Sequence, residues 1–220
     1  MIGNKNLKPK SFTPMVVDEN SSNMQIVSVF DMLMKDRIIF LGSEIYDDVA
    51  NTINAQLLYL DSVTEQDNPE PIWLYINSPG GEVYSGLSIY DTMNVIKSPV
   101  YTVVMGLAAS MAFVLASSGA KGHRYSLPNS RLMMHQPMSG AYGQASDIEI
   151  ENKEVQLLKK NLYEIIAHNT GQTVAKLKRD GDRDRWMSAD ESIDYGVIDK
   201  IFVGKKTLNL SKTKRTTKKK

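Results

Sequence analysis

The sequence contains no cysteine. That excludes disulfides, a thiolate nucleophile and Cys-ligated zinc, and it leaves the redox compartment open. Histidine is scarce as well. Only His123, His135 and His168 occur in 220 residues, too scattered for a metal site that spacing alone would reveal. Acidic residues are missing from one stretch: none follows Asp199, whereas eight Lys or Arg follow Lys200. The formal net charge of +1 therefore hides a body with 18 basic and 25 acidic residues, net −7, joined to a basic tail of +8. An acidic body argues against a general nucleic-acid-binding domain. Residues 1–14 are polar and lack the apolar core of a secretory signal. One charge-free run, residues 98–120 between Lys97 and Lys121, is long enough to be tested as a membrane span. Its Thr102, Gly106, Ser110, Ser117, Ser118 and Gly119 weaken insertion. It reads better as a buried strand, a tight turn and a buried helix.

The length suits one domain, and 42% hydrophobic residues can build a sizeable core. Residues 1–23 read as a flexible start, because Asn20-Ser21-Ser22-Asn23 has little to bury. Residues 37–41 read as a buried strand. Asp47 is the expected N-cap of a helix to about Leu60, on which Ala50, Ile53, Leu57 and Leu60 recur at helical spacing. The acidic, proline-containing run 61–71 reads as a loop and 72–76 as a strand, with a sharp turn at 77–81. A helix bearing Leu87, Tyr90 and Met93 follows. Then come a strand over 100–105, a turn over 106–109, a helix over 110–117 and a short strand ending over 132–135. Ser146 and Glu149 predict a capping box at the start of a long helix to about Asn169. Ile148, Val155, Leu158, Leu162 and Ile165 line its apolar side, and Gly171 is its stop. Strands alternating with helices predict an α/β protein with right-handed crossovers. The last ten residues, 211–220, carry six basic residues and nothing to bury, and read as disordered.

Two glycine-rich turns follow strands, Ser78-Pro79-Gly80-Gly81 and Met105-Gly106-Leu107-Ala108-Ala109-Ser110-Met111. Ser110 falls where strand gives way to helix. There a hydroxyl can project from a sharp turn and free amides point toward incoming negative charge. A buried serine at a crowded helix start is the bland alternative. A serine nucleophile needs a base, and His135 is the best candidate: it ends a strand and precedes the Pro137 turn. His123 lies in the charged turn 121–124, and His168 lies near a helix end, where a dipole role suffices. The base needs an acid. Asp180, Asp182, Asp184, Asp190 and Asp194 all lie downstream, and periodicity does not choose among them.

The ordered blocks YINSPGG (75–81), SIYDTM (88–93), MGLAASMA (105–112), LPNSRLMMHQP (127–137), GQASDIEI (143–150) and DRDRWMSADES with DYG and ID across 182–199 make the chain resemble the ClpP family of self-compartmentalising serine peptidases. The resemblance spans about residues 30–203. It implies an α/β, ClpP/crotonase-like fold of repeated β-β-α units with a protruding handle helix from Ser146. It divides the chain into a flexible segment 1–23, a peptidase domain 24–204 and the basic tail 205–220. It implies Ser110 as nucleophile, His135 as base and Asp184 as acid, with the Gly81 and Met111 amides as oxyanion hole. No metal and no cofactor is implied in the subunit; ATP is used by a partner.

The same resemblance implies a cytoplasmic endopeptidase that cleaves unfolded polypeptides inside two stacked heptameric rings, fed by a hexameric AAA+ unfoldase. It implies neither a nucleic-acid nor a membrane partner. Trp73, Tyr75, Val103, Met105 and Phe202 match the family's partner-docking groove, and Arg183 and Arg185 flank the acid. The sequence departs from the pattern in residues 16–29, in a loop 61–71 about three residues longer than usual, in Glu82 after the oxyanion turn and in Ala112 where Gly is usual. The altered start motivates one alternative, a catalytically silent or auxiliary subunit of a mixed ring. An acyl-CoA enzyme of the crotonase kind is another, against which a Ser-His-Asp set suited to covalent acyl transfer counts.

Overall fold

Three apolar runs supply the centre of one sheet, and the helices between them cover its aliphatic face. The structure, a computed structural model, describes residues 14–18, 25–65, 67–138, 140 and 142–203. The tail and most of the expected flexible start lie outside these residues. In chain order the elements are β1 (Met15–Asp18), β2 (Gln25–Ser28), α1 (Val29–Lys35), β3 (Ile38–Leu41), α2 (Asp47–Ser62), β4 (Ile72–Ser78), α3 (Val83–Val95) and β5 (Val100–Ala109). There follow α4 (Met111–Ser117), β6 (Arg124–Ser126), β7 (Arg131–Met134), α5 (Ala145–Thr170), α6 (Val174–Asp180), β8 (Arg185–Ser188), α7 (Ala189–Tyr195) and β9 (Lys200–Ile201). Within the expected flexible start, β1 pairs antiparallel with β2 because Val16 and Val17 meet Val27 and Ile26.

The main sheet runs β3-β4-β5-β6-β9, all parallel, as expected where helices connect strands. Along β4 the period of two sends Ile72, Leu74 and Ile76 into the core, and Trp73 and Tyr75 to the other face. Ala50, Ile53, Leu57 and Leu60 of α2 are all buried, as their spacing predicts. Each large aliphatic side chain so buried contributes about 1.5–3 kcal/mol. The helix begins one residue earlier than expected: Tyr46 is the N-cap, and Asp47 lies in the first turn, where its charge suits the helix dipole. Arg37 holds the loop after α2. Its backbone has positive φ (60°), and its guanidinium donates to the carbonyls of Leu60, Glu70 and Pro71 and to Ser98 Oγ.

Two further expectations are corrected. The predicted turn over 106–109 is strand, because β5 continues through an irregularity instead of reversing. Gly106 takes φ +87° there. Asn77 Oδ1 accepts from the Leu107 amide, while Ser130 Oγ accepts from the Gly106 amide and donates to the Val104 carbonyl. Before this kink β5 pairs with β6; after it, β5 pairs with β7. The second correction is at α5. Its N-cap is Gln144, with extended backbone and no side-chain cap, so Ser146 already lies inside the first turn and cannot cap it. Capping boxes form instead at Ser28–Asp31 and Ser188–Glu191. Gly171 ends α5 in the left-handed conformation, as predicted. The charge-free run 98–120 spans β5 and the seven-residue α4. Among the described residues no helix is long and apolar enough to cross a membrane.

Candidate active site

Ser110 is the hinge between β5 and α4. Its amide donates to the Met133 carbonyl at 2.9 Å, which ties it to β7, and its backbone is forced to φ 54°, ψ −121°. A non-glycine residue at positive φ is strained, and strain here projects the hydroxyl from the end of the strand. Met111 opens α4, so its amide is a first-turn donor without an intrahelical carbonyl. The Gly80-Gly81 turn packs directly on this junction: a Cβ on Gly80 would lie 2.8 Å from Ser110 Cβ and 2.9 Å from the Met111 nitrogen. Ser78 Oγ accepts from the Gly80 amide and fixes the turn.

Gly81 bridges in parallel to Ile45. The Ile45 amide donates to the Gly80 carbonyl and the Glu82 amide donates to the Ile45 carbonyl. In that pattern the Gly81 amide faces away from Ile45. Any Cβ on Gly81 would collide with the Ile45 carbonyl, so glycine is required there by the protein's own backbone.

His135 follows β7 directly. Its Nε2 lies 2.8 Å from Ser110 Oγ and its Nδ1 lies 3.1 Å from Asp184 Oδ1. A carboxylate only accepts, so Nδ1 carries the proton and Nε2 accepts from the serine hydroxyl. The imidazole is 13% exposed and the Asp184 side chain 58%. Antiparallel pairing of β7 with β8 places Met134 opposite Arg185, which brings the residue after one strand beside the residue before the other. Of the five candidate acids, Asp184 is the one that meets His135. Asp190 lies in the first turn of α7, and Asp180 is held by Tyr195, Lys176, Arg179 and Arg185. Burial opposes the Asp180 charge, but the Tyr195 and Lys176 hydrogen bonds and the nearby cations hold its carboxyl below the usual range. Burial first, and then Asp180, push the Tyr195 hydroxyl up.

Beside Ser110 opens an apolar pocket walled by Val83, Met111, Phe113, Val114, Met134, Leu162 and Ile166, with Lys159 at its border. Gly86 of α3 makes room for the Met111 side chain, where any Cβ would strike it. Among the described residues no group of three or more His, Asp or Glu could hold a metal ion.

The other face of the sheet is aromatic. Trp73 stacks with Tyr125 and Phe202 and meets Tyr101 edge-on; Tyr75 stacks on Phe40. Val103 pairs with Tyr75 on one side and Tyr125 on the other and is fully buried, while Met105 is half-buried. His123, expected in a charged turn, lies flat on Tyr101 at 4.0 Å with its Nδ1 3.1 Å from the Tyr125 hydroxyl. His168 sits in the last turn of α5, as its dipole role predicts.

Sequence reasoning assigned no role to Asn77, Ser78, Ser130 or Gln136, which shape the turns around Ser110 and His135. They lie inside the motif blocks, but the partners of Asn77, Ser130 and Gln136 are remote in sequence, so no local spacing announces them; Ser78 bonds only two residues on, within its own turn.

The chain resembles known proteins over most of its length. The family model described as Clp protease matches residues 20–205. The chain is 56% identical over 192 residues to the ATP-dependent Clp protease proteolytic subunit of Bacteroides fragilis, covering 87% of this chain and 91% of that protein. It is 51% identical over 190 residues to the subunit of the same name from Porphyromonas gingivalis, covering 86% and 84%. Against the ATP-dependent Clp protease proteolytic subunit 1 of Salinibacter ruber the identity is 48% over 196 residues, covering 89% and 83%. The chain belongs to the Clp protease family.

Proposed function

We propose that this protein is a serine endopeptidase whose nucleophile is Ser110, base His135 and acid Asp184. The observation that carries the reading is the unbroken series Ser110 Oγ, His135 Nε2, His135 Nδ1 and Asp184 Oδ1, with steps of 2.8 and 3.1 Å across the imidazole. Both steps fall within hydrogen-bonding reach. His135 takes the Ser110 proton as the hydroxyl oxygen attacks a peptide carbonyl carbon. The carbonyl π electrons move onto oxygen, and the Gly81 and Met111 amides stabilise that oxyanion. Asp184 balances the imidazolium, which then protonates the departing amine as the C–N bond breaks. Water, deprotonated by His135, hydrolyses the acyl-enzyme and restores Ser110.

On the same reading the body, residues 24–204, is a crotonase-like peptidase domain of β-β-α units with α5 as its handle, between a segment 1–23 and a basic tail 205–220. Two heptameric rings stack through that helix and enclose the active sites. A hexameric AAA+ unfoldase, which uses ATP, delivers unfolded chains by docking on the aromatic face. Trp73, Tyr75, Met105 and Phe202 offer the surface, and buried Val103 supports it. The subunit needs no cofactor and works in the cytoplasm.

The assembled protein is expected to cleave a short fluorogenic peptide and to be labelled at Ser110 by a phosphonate probe, both lost in Ser110→Ala. Assembled protein that does neither, with Ser110→Ala indistinguishable, rejects the reading in favour of an auxiliary subunit.

A further inference from the structure

We propose that Gln136 and Lys159 are positioning residues that hold Asp184 in line with His135, a role that rests on the triad reading above. The Asp184 carboxylate is 58% exposed, and its one hydrogen bond among the described residues goes to His135. Among the described residues no arginine or amide steadies its second oxygen. Its position is therefore inherited from its backbone, and that backbone has two anchors. Downstream, Arg185 is registered against Met134 in the β7–β8 pair. Upstream, Gln136 grips the loop twice: its amide donates to the Gly181 carbonyl at 2.9 Å, and its side-chain Nε2 donates to the Asp182 carbonyl at 3.2 Å.

Lys159 sets the polarity of the second grip. Its Nζ donates to Gln136 Oε1 at 2.6 Å. An ammonium has donors only, so Oε1 must face it and Nε2 must face the loop. A reversed amide would set Nε2 against the ammonium and Oε1 against the Asp182 carbonyl, two repulsive contacts in place of two bonds. Lys159 makes no ion pair with a carboxylate among the described residues, so its charge strengthens this neutral amide. Lys159 stands on α5 one turn before the buried Leu162, Tyr163 and Ile166, on the part of the helix fixed to the core. The linkage therefore runs from α5 through Lys159, Gln136 and the Asp182 carbonyl to Asp184 and His135.

Its effect falls on the transition state, when the imidazole is charged and needs the carboxylate in place. In the assembled protein, Lys159→Met keeps the aliphatic stem and removes the donor. Gln136→Glu keeps the Lys159 contact and replaces the loop donor with an acceptor. Each is expected to lower kcat on a short peptide about tenfold, with KM within about twofold of the parent. Lys159→Arg, which retains a donor, is expected to recover most of the lost kcat. A parent-like kcat in either variant, a loss confined to KM, or a Lys159→Arg protein as slow as Lys159→Met overturns the proposal. Ser110→Ala is measured alongside. Retained hydrolysis in Ser110→Ala sinks the triad reading itself. Its abolition together with a parent-like Lys159→Met sinks only the positioning role.

Discussion

Asp199 and Asp184 each present a carboxylate to a nitrogenous partner at the same sheet, and they are built in opposite ways. The Asp199 side chain is 18% exposed and accepts from the Gly122 amide, the Arg124 amide, Arg124 Nε and Arg124 Nη2. Arg124, 6% exposed, spends its remaining donor on the carbonyls of Ser117 and Asn169. Both carboxylate oxygens and all three guanidinium nitrogens have fixed partners, and the pair locks β6 to the approach of β9. Asp184 is mostly exposed and holds one bond among the described residues. A saturated pair secures the fold, because any change in its charge is costly. An unsaturated pair suits a reaction cycle in which the partner gains and loses a proton, provided that neighbours hold it in place.

The contrast can be broken from either side. Asp184→Asn is expected to leave thermal unfolding unchanged and to lower kcat about 10,000-fold, roughly 5 kcal/mol of barrier, since the amide favours the wrong imidazole tautomer. Steady-state kinetics beside a melting curve checks both halves, and equal damage to stability would erase the distinction. Asp199→Ala should do the reverse. It strands a buried guanidinium and costs about 4 kcal/mol of stability, read by denaturant unfolding.

Acid sharpens the comparison more gently. Burial works against the Asp199 charge, yet the hydrogen bonds and charge of Arg124 and the Gly122 amide hold its carboxyl below the ordinary value of 3.8. Asp180 is lowered too. A lowered folded-state value means stability that is complete above the ordinary value and is lost as pH falls through the folded one. Unfolding midpoints should therefore decline below about pH 4, and less steeply in Asp199→Asn. The loss is smaller than in Asp199→Ala because a protonated carboxyl still accepts hydrogen bonds. The smallest effect belongs to Ser110. Glycine adopts φ 54° without strain, so Ser110→Gly should be about 1 kcal/mol more stable than Ser110→Ala by denaturant titration while remaining inactive. Equal stabilities would show that the junction is relaxed.

Much of this was legible beforehand where the information is local. The spacing of Ala50, Ile53, Leu57 and Leu60 announced a buried helix face, and Gly171 announced a helix end. Ser110 and His135 stood out as a hydroxyl and an imidazole at strand ends, while the motif blocks singled out Asp184. What could not be read was settled by remote partners. Residues 106–109 looked like a turn because the bonds that carry the strand onward join Leu107 to Asn77 and Gly106 to Ser130, 30 and 24 positions away. The apolar spacing of α5 overstated its buried face. Ile148 is exposed, Val155 and Leu158 are half-buried, and full burial begins at Leu162, where the helix reaches α4 and α6. Periodicity reports which side of a helix is apolar, not how far along its length a neighbour extends.

That uneven burial makes α5 a lever. From Ala145 to the first buried residue, Leu162, the helix rises about 25 Å, so a tilt of about 5° at its anchored end carries its far tip about 2 Å. The fulcrum lies beside Lys159, which such a tilt leaves almost at rest. The bond from the Tyr84 hydroxyl to Glu154 Oε1, midway along that stretch, is the contact such a tilt would load first.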